Sequence, residues 1–309
     1  MTNKRYLFEN NLNIARSFVT QKEYSKALHF FKRAYKCEEG KNDIDLILDI
    51  ALLYDKLGYK FEAEEKYKEV ILLDKTDPRA YYGLGVLYDE DSFFEEAIEF
   101  YKKAIELDSK YDRAYFFLAN AYDEIGDREN AIKYYNEVLK IVPNDLWAYA
   151  NLGCIYEENR EYKKALIYME KALEINPSHF RILFNMGVLL NNLSKKEEAK
   201  KYYYKSIEAN REYPYSYLNL AVMYKEAGEI KTAIEIISKG IKNNPNTSFL
   251  YYNRCCFYCN INELQLALFD LIKTIDINSD FIEYMKKDKD LDLLRNLKEY
   301  KEYVKELEI

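Results

Sequence analysis

The stretch Ala80-Tyr81-Tyr82-Gly83-Leu84-Gly85-Val86-Leu87-Tyr88, followed by Ala97, Tyr101 and Ala104, recurs with small changes along the chain. Strides of 34 residues from Ala97 reach Ala63, Ala131, Ala165, Ala199, Ala233 and Ala267, and one stride of 36 back from Ala63 reaches Ala27. With each alanine counted as place 20 of a 34-residue unit, the units begin at Phe8, Ile44, Pro78, Asp112, Leu146, Phe180, Pro214 and Ser248. Place 8 is small in every unit: Ala15, Ala51, Gly85, Ala119, Gly153, Gly187, Ala221 and Cys255. Place 24 is large: Phe31, Tyr67, Tyr101, Tyr135, Met169, Tyr203, Ile237 and Leu271.

These constraints describe two helices per unit. Apolar places 4, 7, 8 and 11 have helical spacing, and so do 20, 24, 27 and 28. Gly58, Gly126 and Gly228 share place 15, where a positive φ would end the first helix. All five prolines fall at unit junctions, where proline stops one helix or opens the next. Small residues at places 8 and 20 let the two helices cross closely. A leucine at place 20 would overpack that crossing by roughly 1–3 kcal/mol.

The pattern resembles the tetratricopeptide repeat (TPR) family. The stretch at 80–88 carries the resemblance, and so does Tyr149-Ala150-Asn151-Leu152-Gly153-Cys154-Ile155-Tyr156 with Ala165, Ala172 and Pro177. It covers residues 8–281 and implies an all-α, right-handed superhelical solenoid of antiparallel helix pairs. The expected repeats are 8–43, 44–77, 78–111, 112–145, 146–179, 180–213, 214–247 and 248–281, in a single domain with a C-terminal capping segment at 282–309. Local departures are Arg254 at apolar place 7 and Val138, Ser206 and Thr274 at place 27. In the last segment Leu293, Leu297, Tyr300, Val304 and Leu307 form one apolar stripe. That predicts a terminal helix covering the eighth repeat, because a solenoid end must be solvated.

Composition narrows the function. Apolar residues make up 49% and charged residues 32% of the 309, a globular balance. No run approaches the ~20 apolar residues of a membrane span, and residues 1–10 have no signal-peptide core, so a cytoplasmic protein is expected. Five cysteines without framework spacing fit a reducing compartment. The net charge of −7 argues against nucleic acid as a partner. Cys255, Cys256 and Cys259 share one helix but have no histidine or fourth cysteine nearby to complete a zinc site. No phosphate-cradling glycine loop or nucleophile motif is present, so neither cofactor nor enzymatic activity is expected.

The binding reading rests on the unpacked face. At about 100° per residue, places 2, 5, 6, 9, 12 and 13 lie within an arc of about 120° opposite the packing places. In the family it resembles, first helices line the concave surface, so this arc is expected to face a groove. Place 6 carries Asn151, Asn185, Asn219 and Asn253 in the last four repeats, and Asn13, Asp49, Gly83 and Phe117 before them. A primary amide can engage a backbone N–H and C=O together. This series resembles the asparagine ladder of the O-GlcNAc transferase repeat region. Tyr82, Phe116, Phe184 and Tyr252 at place 5 are expected to grip side chains, with Arg79, Arg113 and Arg181 at place 2 along one edge. Residues 78–179 hold 12 basic and 20 acidic side chains, a balance of −8 that points to a ligand with basic groups. Family members that clamp an acidic chaperone tail use a set whose nearest match here is Phe116, Asn120, Asn151, Arg181 and Asn185. Phe116 and Asn185 remove two cations from that set, which argues against it. The expected function is a scaffold that binds an extended peptide or flexible protein segment. The alternative is a self-associating scaffold, a homo-oligomer, docking through the convex face or terminal helix.

Overall fold

The structure, a computed structural model, describes residues 2–307. It divides into two compact units, one ending at Ala148 and the other beginning at Tyr149. The first holds the pairs α1 (Thr2–Thr20) and α2 (Tyr24–Tyr35), α3 (Ile44–Lys56) and α4 (Lys60–Leu73), α5 (Pro78–Glu90) and α6 (Phe94–Leu107), and α7 (Asp112–Glu124) and α8 (Arg128–Ile141). Helix α9 (Leu146–Glu158) contains the division and pairs with α10 (Tyr162–Ile175). The second unit continues with α11 (Phe180–Asn192) and α12 (Lys196–Ala209), α13 (Pro214–Glu226) and α14 (Ile230–Asn243), and α15 (Ser248–Asn260) and α16 (Leu264–Ile277). From the second repeat onward every first helix spans places 1–13 and every second helix places 17–30. The two extra residues of the first repeat fall at a 3-10 turn, Glu39–Asn42. No helix among the described residues is long and apolar enough to cross a membrane.

Packing follows the place pattern. The alanines at place 20 are fully buried, as is each place 8 alanine and Cys255. Place 8 lies against the place 24 side chain of the same repeat. A Cβ added to Gly85 would sit 2.5 Å from Tyr101 Cε1, and one on Gly187 would sit 2.8 Å from Tyr203 Cε1. Where place 27 turns polar, the groups are paired: Ser206 Oγ lies 2.8 Å from Ser216 Oγ, and Thr274 Oγ1 donates to Asp270 O at 2.8 Å.

The turn between paired helices is the same in all eight repeats. Place 15 has a positive φ not only at Gly58, Gly126 and Gly228, near +80°, but also at Lys22, Ser92, Arg160, Ser194 and Asn262, at 60–63°. In each repeat the N–H of place 16 donates to the carbonyl of place 11, as from Asp127 to Tyr122 and Glu161 to Tyr156, both at 2.8 Å. This bond closes the helix end around a left-handed residue. Five repeats therefore hold a side chain where glycine is the unstrained choice.

Arg254, the sequence outlier, does not disturb the eighth repeat. Its Nε and Nη2 each lie 2.7 Å from the Asp270 carboxylate, and Nη1 donates to Ser238 Oγ at 2.8 Å. The Asp270 side chain is 1% exposed, and burial pushes its carboxyl up against the pull of the guanidinium.

The terminal segment differs from the single predicted helix. It forms α17 (Phe281–Lys287), a 3-10 turn (Lys289–Leu291), α18 (Asp292–Arg295) and α19 (Lys298–Glu306). Arg295 Nη2 donates to Met285 O and Asp288 O at 2.8 and 2.7 Å, which folds the chain back at the end of α17. The buried residues are consequently Met285, Leu291, Leu294 and Tyr300, while Leu293 is 52% exposed. Leu297, Val304 and Leu307 do pack on the eighth-repeat cluster, so the apolar side of the segment is used as a cap.

Two stability predictions follow from this packing. Arg160→Gly will raise stability by roughly 0.5–1 kcal/mol, the left-handed penalty less the added freedom of the unfolded chain. Gly126→Ala will lower it by a similar amount in matched urea titrations. Arg254→Leu alone will cost about 3–5 kcal/mol by stranding Asp270, whereas Arg254→Leu with Asp270→Leu will recover most of that loss. Equal losses in the single and double variants would sink the account of the buried pair.

Candidate functional site

The place 24 rings set the geometry of the unpacked face. Tyr67, Tyr101, Tyr135 and Tyr203 are 2% exposed or less, yet their hydroxyls emerge among the positions predicted to line a groove. Tyr101 Oη donates to Asp89 Oδ2 at 3.0 Å, a place 12 partner. Tyr135 donates to Asn120 Oδ1, at place 9. Tyr203 Oη accepts from Asn219 Nδ2 at 3.4 Å, at place 6 of the following repeat. A buried tyrosine ordinarily finds such a partner.

Tyr67 is different. The place 6 residue of the repeat after it is Gly83, and a Cβ there would lie 2.3 Å from Tyr67 Cε1. With no side chain at Gly83, the ring packs against helix backbone and its hydroxyl has no hydrogen-bond partner. A pocket of about 640 Å³ opens at this point, lined by Tyr67, Tyr82, Gly83, Val86 and Tyr111 and by the α3 residues Leu48, Asp49, Leu52 and Asp55. Arg16, Asp45, Arg79 and Arg113 complete the wall. A second pocket of about 580 Å³ also has Asp49, Leu52 and Asp55 in its wall, so the two flank the same face of α3.

Charges in this trough are unevenly satisfied. Arg79 is held by Asp77 at 2.6 Å and by Asp45 at 2.7 Å, and Asp77 also caps α5 through the Arg79 N–H at 2.9 Å. Asp49 and Asp55 make no hydrogen bond or ion pair. Burial pushes the Asp49 carboxyl up, with Arg16 pulling the other way. Burial does the same to Asp55, and Glu90 adds to the rise. Burial also raises the Tyr82 phenol and pushes Tyr111 up to about 12, so both are neutral donors at physiological pH. The Tyr82 ring lies 5.1 Å from Tyr111 and 5.9 Å from Phe117, which fixes it as part of the wall.

Residues 76–144 and 114–178 match one tetratricopeptide repeat family profile, residues 168–201 a second and residues 214–247 a third. The chain belongs to the tetratricopeptide repeat family. No curated protein matches its sequence significantly. Among solved structures, a TPR protein from Parabacteroides merdae ATCC 43184 is similar at TM-score 0.62 and 22% identity, over 83% of this chain and 98% of its own. Pseudomonas aeruginosa pilF aligns at TM-score 0.60 and 17% identity, over 73% and 98%. YrrB, described as a TPR protein with an unusual peptide-binding site, aligns at TM-score 0.51 and 22% identity, over 60% and 95%. These identities establish the shared fold.

Within this TPR array, Tyr82, Arg79 and Arg113 come together in the first-unit pocket. Phe116, also in the first unit, is half-buried, with its ring 5.7 Å from Tyr135. In the second unit Asn151 is half-buried on α9, and Arg181 is exposed beside the Phe180 ring. Asn185 donates to Cys154 Sγ at 3.3 Å, and Asn253 to Phe249 O at 2.8 Å. With Asn219 bonded to Tyr203, these three amides each use one hydrogen inside the fold and keep a carbonyl and one hydrogen. Phe184 joins Tyr213, Tyr215 and Phe249 in a strip of rings with centroids 5.2–5.4 Å apart. Tyr252 is the correction: it is 8% exposed, its hydroxyl donates to Asp288 Oδ2 at 2.7 Å, and Phe281 covers its ring at 5.0 Å. The terminal segment thus occupies the face expected for ligand at the eighth repeat. Cys256 and Cys259 lie under it at 6% and 1% exposure, and burial pushes the Cys256 thiol up.

Sequence reasoning placed Asp49 on the groove-facing arc without singling it out as a binding residue, and it did not pick out Asp55, Arg16, Tyr111 or Tyr67. One signal was available: tyrosine rather than phenylalanine at place 24, beside glycine at place 6 of the next repeat.

Because the folded-state pKa values of Asp49 and Asp55 lie above their unfolded values, ionising these groups opposes folding. Their protonation adds stability as pH falls from neutral into the raised carboxylate range. Asp49→Asn with Asp55→Asn will therefore keep or raise the melting temperature at neutral pH. It will also remove that part of the gain seen on mild acidification. A lower melting temperature at pH 7 would show that the carboxylates are structurally supported after all.

Proposed function

We propose that this protein is a non-catalytic interaction scaffold whose first-unit trough takes an extended peptide or flexible protein segment. The observation that carries this reading is the pair of pockets that flank α3 and share Asp49, Leu52 and Asp55 in their walls. Two adjoining hollows along one helix face suit a chain in extended form, which advances about 3.3–3.6 Å per residue. Half-buried rings at Tyr82 and Tyr111 offer rigid area at low entropic cost, and exposed Arg113 rims the site. YrrB gives the fold a precedent for peptide binding.

In the second unit the same reading assigns backbone contacts to Asn151, Asn185 and Asn219, and side-chain contacts to Phe184 beside Arg181. Asn120 and Phe116 would serve the equivalent face of α7. Asn253 lies next to the covered Tyr252 and would contribute least.

Leu52 is 54% exposed and lines both pockets, so Leu52→Trp will obstruct the trough at little cost in stability. Dodecapeptides selected on the intact protein from a displayed random library will lose at least ten-fold in affinity for this variant. Leu72→Trp, at a site 80% exposed and away from both pockets, will leave binding unchanged. Selected peptides that bind Leu52→Trp like the parent would refute the trough as the docking site.

A further inference from the structure

The pocket at Gly83 holds acceptors that the fold leaves without a partner, beside three arginines, Arg16, Arg79 and Arg113. Tyr67 is 2% exposed, lines the pocket and has no partner for its hydroxyl, whereas Tyr101, Tyr135 and Tyr203 are each bonded. Asp49 and Asp55 border the same space without a hydrogen bond or ion pair. Arg79, the nearest saturated cation, already has two carboxylates.

We infer that the pocket beneath Gly83 receives the side chain of a lysine or arginine carried by the docked segment. This rests on the docking reading above and names the chemistry that segment must present. An ammonium or guanidinium group has several donors and no acceptor, which matches the Asp55 carboxylate and the Tyr67 phenolic oxygen, two groups that feel each other electrostatically. Its aliphatic stem would lie along Leu48, Leu52 and Val86, with the Tyr82 ring beside the charge. A carboxylate placed beside Asp55 would meet a like charge, which disfavours an acidic side chain there. Arg16 and Arg113 line the pocket from α1 and α7 and make no ion pair of their own. Burial has already raised both aspartates, and a bound cation relieves that cost.

The test uses the intact protein and random dodecapeptides, with hits counted as trough-directed when Leu52→Trp abolishes them. Such hits will share a lysine or arginine at one position, and replacing it in the peptide with glutamine will weaken binding at least ten-fold. Asp49→Asn with Asp55→Asn, checked as folded by its melting temperature, will weaken the same peptides at least ten-fold. Tyr67→Phe will weaken them a few-fold. Trough-directed hits that lack a basic position, or that ignore the aspartate substitutions, would overturn this inference and leave docking intact. A library yielding no hit sensitive to Leu52→Trp would overturn the docking reading and this inference with it.

Discussion

Each repeat depends on a place 24 side chain lying across a residue at place 8 that has almost no side chain of its own. At Gly85 and Gly187 the approach is so close that even a β-carbon would collide with the ring. Small residues at place 8 and alanine at place 20 are therefore set by the same requirement, that two helices approach within reach of one ring. Interior packing density leaves no slack for a larger residue. Because the ring is long, its far end passes through the helix layer and emerges on the opposite face. The group that fixes the pair of helices also supplies that face with its hydroxyls.

What those hydroxyls meet decides the character of each repeat. In the third and fourth repeats the hydroxyl finds Asp89 or Asn120, in the sixth it reaches Asn219 of the next repeat, and each is bonded. At Gly83 nothing closes it, and two desolvated aspartates share the gap. Unpaired, half-buried carboxylates oppose folding, and a protein that retains them next to an open cavity sacrifices local stability at that point. The contrast with Asp270 is informative, because there a guanidinium with near-ideal fork geometry answers the buried charge. Asp270 has a direct counter-ion in the core, whereas Asp49 and Asp55 border the trough without a direct ion pair.

Much of this was legible before any coordinates. The eight alanines fixed the repeat frame so well that from the second repeat onward every first helix begins at place 1. The arc of places 2, 5, 6, 9 and 12 does line the first-unit pocket, because helical periodicity constrains direction independently of context. Three things were not legible. Arg254 reads as damage until Asp270, sixteen residues later, is seen to face it. The terminal stripe reads as one helix, but Arg295 draws the chain back onto the α17 carbonyls and shifts burial from Leu293 to Leu294. The ladder asparagines drew attention as the conspicuous series, whereas the open pocket lies where that series is interrupted. Place 6 and place 24 belong to different repeats, and only their meeting shows what a missing amide leaves uncovered.

Specificity in such an array can thus be written by subtraction. The scaffold supplies a tyrosine beneath place 6 at several repeats, and the residues around its hydroxyl decide whether that group is bonded or left facing a pocket. Evolution, or an engineer, could retune such a site through place 6 and the charges on the neighbouring helix while the helix frame stays as it is.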